Sequence, residues 1–169
     1  MIFGDPKRLA IEAELEPDLS ARFMGNEPLG RIRAWVDSLP FGNWEDPSCP
    51  FGGLEEELQK KGDMRYVAWQ PSLEPKTPIE RFQILDDLLY DPDLADRISS
   101  TLDLSSIFTN TVECFDGTKA FALTPSEGLV QILISNQIDK FADIVVDKSL
   151  IQLIATGLNE WIHANRRDA

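Results

Sequence analysis

The sequence predicts an α+β fold with a mostly antiparallel sheet and helices packed on one side. Three observations carry this. Strict alternation of apolar and polar residues marks strands in the first forty residues. Apolar residues recur at helical spacing in two later segments, around residues 77–102 and 147–164. The chain has 169 residues, 43% of them hydrophobic and 27% charged, which suits one domain spanning 1–169 with a core of its own.

The first expected strand is Leu9–Glu16. Ile11, Ala13 and Leu15 alternate with Glu12, Glu14 and Glu16, so a period of two sends the apolar set inward and three carboxylates outward. Neighbouring glutamates in this comb stand roughly 7 Å apart. The comb is either a solvated sheet face or a docking surface for Lys and Arg. A second strand is expected at Ala21–Met24, then a turn at Gly25-Asn26-Glu27-Pro28, and a third strand at Arg31–Asp37. There Ile32, Ala34 and Val36 share one face, and Arg31, Arg33, Trp35 and Asp37 the other. Arginines on that face could pair across strands with the glutamate comb and satisfy part of it internally.

Residues 38–53 read as a loop rich in Pro, Gly and aromatics. Phe41, Trp44 and Phe51 are too many rings for a plain linker: they cap the core, or some are presented to a partner. A short helix at Leu54–Lys61, with Glu56–Lys60 and Glu57–Lys61 pairs, stops at Gly62. Tyr66, Val67 and Trp69 favour a strand within Met64–Trp69. The best helix start is Thr77-Pro78-Ile79-Glu80, with Thr77 as cap, Pro78 at the first helical position and Glu80 completing a capping box. Ile79, Phe82, Leu85 and Leu89 form the expected stripe, with Asp86 and Asp87 outside it. Asp91-Pro92 restarts the pattern through Leu94, Ile98 and Leu102.

Asp116-Gly117 signals a hairpin over Thr111–Thr124, with Val112 facing Phe121. Gly128–Ser135 is apolar on both faces, as expected of a central or twice-covered strand. Ala142–Val146 is a short strand or the approach to the last helix. Asp147 is expected to cap that helix, which presents Leu150, Ile154, Leu158 and Trp161 and runs to about Ala164.

Charge and rare residues narrow the function. Sixteen basic residues face 29 acidic ones, a net charge of −13. Acids outnumber bases in every part of the chain, so the charge belongs to the folded body. Such a chain repels nucleic acid and anionic membrane surfaces and attracts basic proteins. The N-terminus lacks a basic region followed by an apolar one, and no apolar stretch approaches membrane-spanning length; a cytoplasmic protein is expected. Cys49 and Cys114 lie far apart with no Cys-x-x-Cys spacing; a disulfide between them is geometrically possible, but in a reducing compartment both are expected as thiols. His163 is the sole histidine and stands where a solvated or dipole-stabilised side chain is expected. No glycine-rich phosphate loop occurs. The run from Asp91 lacks the glycine and glutamate of a calcium loop at its sixth and twelfth positions, which are Asp96 and Leu102. No catalytic group, cofactor or metal site is expected.

Several segments together resemble a known family. Ile2-Phe3-Gly4-Asp5-Pro6 with Ala10-Ile11-Glu12-Ala13-Glu14-Leu15 is similar to the opening of immunity protein family forty-two of bacterial polymorphic toxin systems. Gly30 through Val36 with Phe41-Gly42-Asn43-Trp44 resembles its next strand and Gly-Trp loop. Phe115-Asp116-Gly117-Thr118-Lys119-Ala120-Phe121 resembles its later hairpin, and the amphipathic helix ending around Trp161 also fits. Between Gly53 and Leu104 the chain departs from the family's pattern.

The resemblance implies a non-enzymatic cytoplasmic inhibitor. It would bind one cognate toxin C-terminal domain one-to-one and protect the cell from contact-dependent growth inhibition. The toxins of such systems are commonly nucleases, whose cationic surfaces suit an acidic inhibitor. The candidate toxin-binding residues are Glu12, Glu14, Glu16, Trp44, Asp86 and Asp87. The rival readings are an acidic adaptor for basic proteins and, further off, a small enzyme. A toxin gene immediately upstream separates the first reading from the others.

Overall fold

The computed structural model describes residues 1–16, 28–51, 71–90, 113–136 and 138–166. The strands expected at 21–24 and 64–69, the helices expected at 54–61 and 91–102, and Val112 lie outside these residues. The α+β expectation holds, and the strands divide into two antiparallel sheets.

The first sheet is built on β1 (Ile2–Gly4), β2 (Leu9–Leu15) and β3 (Leu29–Val36), extended by β4 (Leu39–Phe41) and β5 (Cys49–Pro50), which both pair with β3. In β2 and β3 the alternation read from the sequence sets the faces. Ile11 lies opposite Ala34 and Ala13 opposite Ile32, all fully buried. Three strands here were not expected. β1 precedes the first predicted strand, and β4 and β5 lie in the predicted loop. β4 follows from a two-residue turn at Asp37-Ser38, both with positive φ (49° and 67°). That is the primed hairpin geometry, here without the usual glycine. The turn is tied down by Asp37 N–H to the Arg8 carbonyl and Ser38 N–H to the Pro6 carbonyl, both 2.9 Å. Residue 30, which pairs with Cys49 of β5, has no room for a side chain: a Cβ there would sit 1.9 Å from the Glu14 carbonyl oxygen of β2 and 2.8 Å from the Phe51 ring.

The second sheet has the order β6 (Lys119–Leu123), β7 (Leu129–Ser135), β8 (Phe141–Asp147). β7 is central and buried on both faces, as its apolar run predicted. Among the described residues, the first arm of the hairpin expected across Asp116-Gly117 is not a strand. Glu113–Phe115 is a 3-10 turn, closed by Thr118 N–H to the Phe115 carbonyl at 2.8 Å, and Phe121 pairs with Leu133 of β7; Val112, its expected partner, lies outside the described residues. An Asp-Gly pair fixes a local reversal. β6, which follows this reversal, pairs with β7.

Helix α1 (Pro78–Tyr90) opens with the expected capping box. The Thr77 N–H and hydroxyl donate to Glu80 Oε2 at 2.7 and 2.8 Å, and the Glu80 N–H reaches back to Thr77 Oγ1 at 3.4 Å. The helix meets the second sheet from Phe82 onward, where Phe82 packs edge-on against Phe121 and Phe141. Ile79, expected in the stripe, is in the first turn and exposed, whereas Leu85 and Leu88 are buried. Arg81 clamps this layer, donating to the Leu73 carbonyl (2.9 Å), to the Glu74 carbonyl (3.1 Å) and to Oε1 of buried Gln131 (2.9 Å).

Helix α2 (Lys148–Asn165) packs on β1, β2 and β8. Its buried face is Ile151, Ile154, Ala155, Leu158 and Ile162, rotated from the expected stripe, with Leu150 and Trp161 at the margin. Asp147 occupies the cap position but makes no capping hydrogen bond. Its carboxylate lies 4.0 Å from Arg8, both side chains being exposed. One hydrophobic cluster joins the inner faces of both sheets and the apolar sides of both helices. Leu158→Ala, fully buried there, is expected to cost about 3 kcal/mol in urea denaturation, whereas Leu153→Ala, 66% exposed on the same helix, stays within about 0.5 kcal/mol of wild type.

Candidate functional site

The outward face of the first sheet gathers polar and aromatic side chains into one connected group. The β2–β3 register sets Glu12 opposite Arg33 and Glu14 opposite Arg31. The Glu12 Oε2 accepts from Arg33 Nε at 2.7 Å and from Trp35 Nε1 at 2.8 Å. Arg31 Nη1 donates diagonally to Glu16 Oε2 at 2.9 Å. Glu14 is exposed between these pairs. The arginines therefore hold the two outer teeth of the comb.

Above this layer stands a stack. The Arg33 guanidinium carbon lies 4.6 Å from the Trp35 ring centroid and 4.4 Å from that of Trp44. One cation is held between two indoles, each contact within cation–π range, and its edge is bound to a carboxylate. Both indoles are partly exposed. The predicted aromatic loop thus divides: Phe41 and Phe51 are in the core, and Trp44 stands outside it on Arg33.

The loop that carries Trp44 is ordered by its own polar groups. Asn43 Oδ1 accepts from Glu45 N–H at 3.2 Å, and Asp46 Oδ1 accepts from Ser48 N–H at 2.9 Å and from its hydroxyl at 2.5 Å. The Ser48 hydroxyl and then its N–H hold the Asp46 carboxyl below the ordinary aspartate range. Asn43 N–H donates to the Cys114 carbonyl at 2.6 Å.

A second exposed feature lies beside this loop. Between β7 and β8, Asn136 Oδ1 accepts from the N–H groups of Ile138, Asp139 and Lys140 at 2.9–3.1 Å. This cage holds Ile138 out in solvent at 89% exposure. A shallow cleft lined by Pro40, Asn43, Asp116, Thr118 and Ile138 separates the tip from β4, and Lys140 Nζ reaches the Pro40 carbonyl at 3.5 Å.

The structure brings Glu12, Glu14, Glu16 and Trp44 into one neighbourhood. Asp86 and Asp87 belong to α1, which packs on the second sheet; Asp86 is ion-paired with Lys119, and Asp87 is exposed. The Trp35–Arg33–Trp44 stack was not read from the sequence. Its signal was the Arg-x-Trp spacing on an outward strand face, followed by a tryptophan loop. Among the described residues no cluster of His, Cys, Asp or Glu could hold a metal ion, His163 is exposed on α2 beside Arg166, and no helix is long and apolar enough to cross a membrane.

The model of the family described as immunity protein 42 matches residues 1–161. The chain belongs to the immunity protein 42 family. Comparison with curated proteins and with solved structures gives no match. Membership assigns this immunity protein a toxin-neutralising role.

Glu12 gives a direct probe of the face. Burial raises its proton affinity, but the hydrogen bonds from Arg33 and Trp35 and the Arg33 charge outweigh this and hold the carboxyl below the usual glutamate value of 4.5. A depressed carboxyl stabilises the fold above its unfolded pKa, and the contribution disappears as pH falls through the folded pKa. Glu12→Gln is therefore expected to cost about 1 kcal/mol at pH 7. The gap to wild type should narrow below about pH 4.5 in denaturant titrations across pH. A pH-independent gap would contradict the pairing.

Proposed function

We propose that this immunity protein neutralises its toxin by covering it with the outward face of the first sheet, in a one-to-one complex in the cytoplasm. The observation that carries the reading is the Trp35–Arg33–Trp44 stack locked to Glu12. Partly exposed tryptophans and an arginine, fixed in place on an open sheet face, are the residue types that dominate binding energy at protein interfaces. The partner is a toxin domain with a cationic surface, a nuclease being the class whose phosphate-binding face such an inhibitor would fit. The net charge of −13 supports long-range steering of that partner. Glu14, exposed among paired neighbours, is the acid of the comb best placed to meet a partner's cation. Glu12 and Glu16 position Arg33 and Arg31. Asp87, exposed on α1, adds to the steering field, and Asp86 does so less because Lys119 offsets it.

The test uses the toxin domain encoded next to the immunity gene. Trp44→Ala is expected to weaken the complex about 30-fold, by faster dissociation. Glu14→Lys is expected to slow association severalfold at low salt, an effect lost at high salt. Stopped-flow association and competition dissociation read the two separately. If folded variants of both kinds bind like wild type, the docking face is wrong, while protection of cells co-expressing toxin and wild-type inhibitor still reports the immunity role.

A further inference from the structure

The cleft between β4 and the β7–β8 tip has walls of mixed character. Pro40 and Ile138 supply apolar surface, Asp116 an exposed carboxylate, and Asn43 an amide. Thr118 lines it too, although only 6% exposed. Its N–H is bound to the Phe115 carbonyl at 2.8 Å, whereas among the described residues its hydroxyl makes no hydrogen bond. A polar group buried to that degree costs stability unless water or a ligand meets it.

The walls are held in place. Asn136 Oδ1 fixes the tip through three N–H groups at 2.9–3.1 Å, and the Asn43 N–H is bound to the Cys114 carbonyl at 2.6 Å. The cleft encloses about 200 Å³, less than the roughly 300–1,000 Å³ of sites that enclose a small molecule. That is room for one side chain.

The molecule itself shows which kind. Lys140 reaches across the cleft, its Nζ 3.5 Å from the Pro40 carbonyl. At that length the hydrogen bond is weak and readily given up. An ammonium on an aliphatic stem therefore already rests here. Lysine and arginine lay their stems along apolar surface and keep the charged head among polar groups. Pro40 and Ile138 suit the stem, and Asp116 and Thr118 suit the head.

We propose that this cleft takes one lysine or arginine side chain of the toxin domain. It displaces the Lys140 ammonium, lays its stem between Pro40 and Ile138, and donates to the Asp116 carboxylate and the Thr118 hydroxyl. The net charge of −13 favours a basic occupant. Asn43 of the cleft wall adjoins Trp44 in the chain, so the cleft continues the docking face past the tryptophan loop. The inference rests on the toxin-binding reading.

The experiment measures association and dissociation of the toxin domain encoded next to the immunity gene, using full-length variants first shown to be folded by thermal melts. Asp116→Asn is expected to dissociate about tenfold faster at low and high salt alike, because a desolvated charge pair acts on dissociation. Asp87→Asn, which removes the same charge from α1, leaves dissociation unchanged. Lys140→Gln removes the resident cation and is expected to dissociate about threefold more slowly. Ile138→Ser, at a position 89% exposed, is expected to dissociate about fivefold faster. Binding lost in Asp116→Lys returns when one lysine or arginine of the toxin is replaced by glutamate. If Asp116→Asn does not fold, Lys140→Gln and Ile138→Ser decide. Wild-type dissociation in Asp116→Asn, a weaker complex in Lys140→Gln, or no restoring substitution in the toxin would each overturn the proposal. So would self-association of the free protein that Ile138→Ser abolishes, since the occupant would then be a second copy. A wild-type protein that binds no toxin domain would overturn the proposed function as well, whereas failure of the cleft variants alone leaves that function standing.

Discussion

Pairing Leu9 with Val36 and Leu15 with Gly30 sends every inward residue of β2 and β3 toward the core and every charged one outward. A slip of one residue would put Glu12 and Arg33 in the interior and Ile11 and Ala34 in water. That register is therefore the constraint on which the rest depends. It makes the inner face on which α2 packs. It also sets the spacing at which Glu12 can take both Arg33 and Trp35. At Gly30, where β2 approaches closely, the missing side chain leaves room for the Phe51 ring.

The parts of this architecture that were legible in the sequence are those whose faces differ strongly in polarity. β2 and β3 alternate cleanly, β7 is apolar throughout, and α1 begins with a capping box whose hydrogen bonds are local. What escaped were short pieces whose pairing is decided at a distance. β1 has three residues and β5 two, too few for a period. β4 was hidden because its turn, Asp37-Ser38, adopts positive φ without glycine. Around Asp116-Gly117 the turn was legible, and the pairing of the following strand, β6, with β7 was not.

The candidate face was legible in the same uneven way. The comb and the arginines opposite it follow from alternation, and so does the possibility that they satisfy one another. The stack does not, because it needs Trp44, which comes from a loop whose course is set by Asn43, Asp46 and Cys114. A sequence rich in aromatics cannot by itself divide Phe41 and Phe51 from Trp44. The division comes from which positions of the loop return to β3 and which pass over its outer surface.

The indole–guanidinium–indole arrangement has a consequence for recognition. Arginine and tryptophan side chains ordinarily lose rotamer freedom when a complex forms, and that loss subtracts from affinity. Here Arg33 is held by Glu12 on its edge and by two rings, so its ordering has already taken place in the folded chain. A partner docking on this face meets a surface whose shape is settled before contact. The remaining unfavourable term is removal of water from the exposed rings and carboxylates. Rigid presentation of this kind favours a partner whose surface already matches it and penalises one that must adapt.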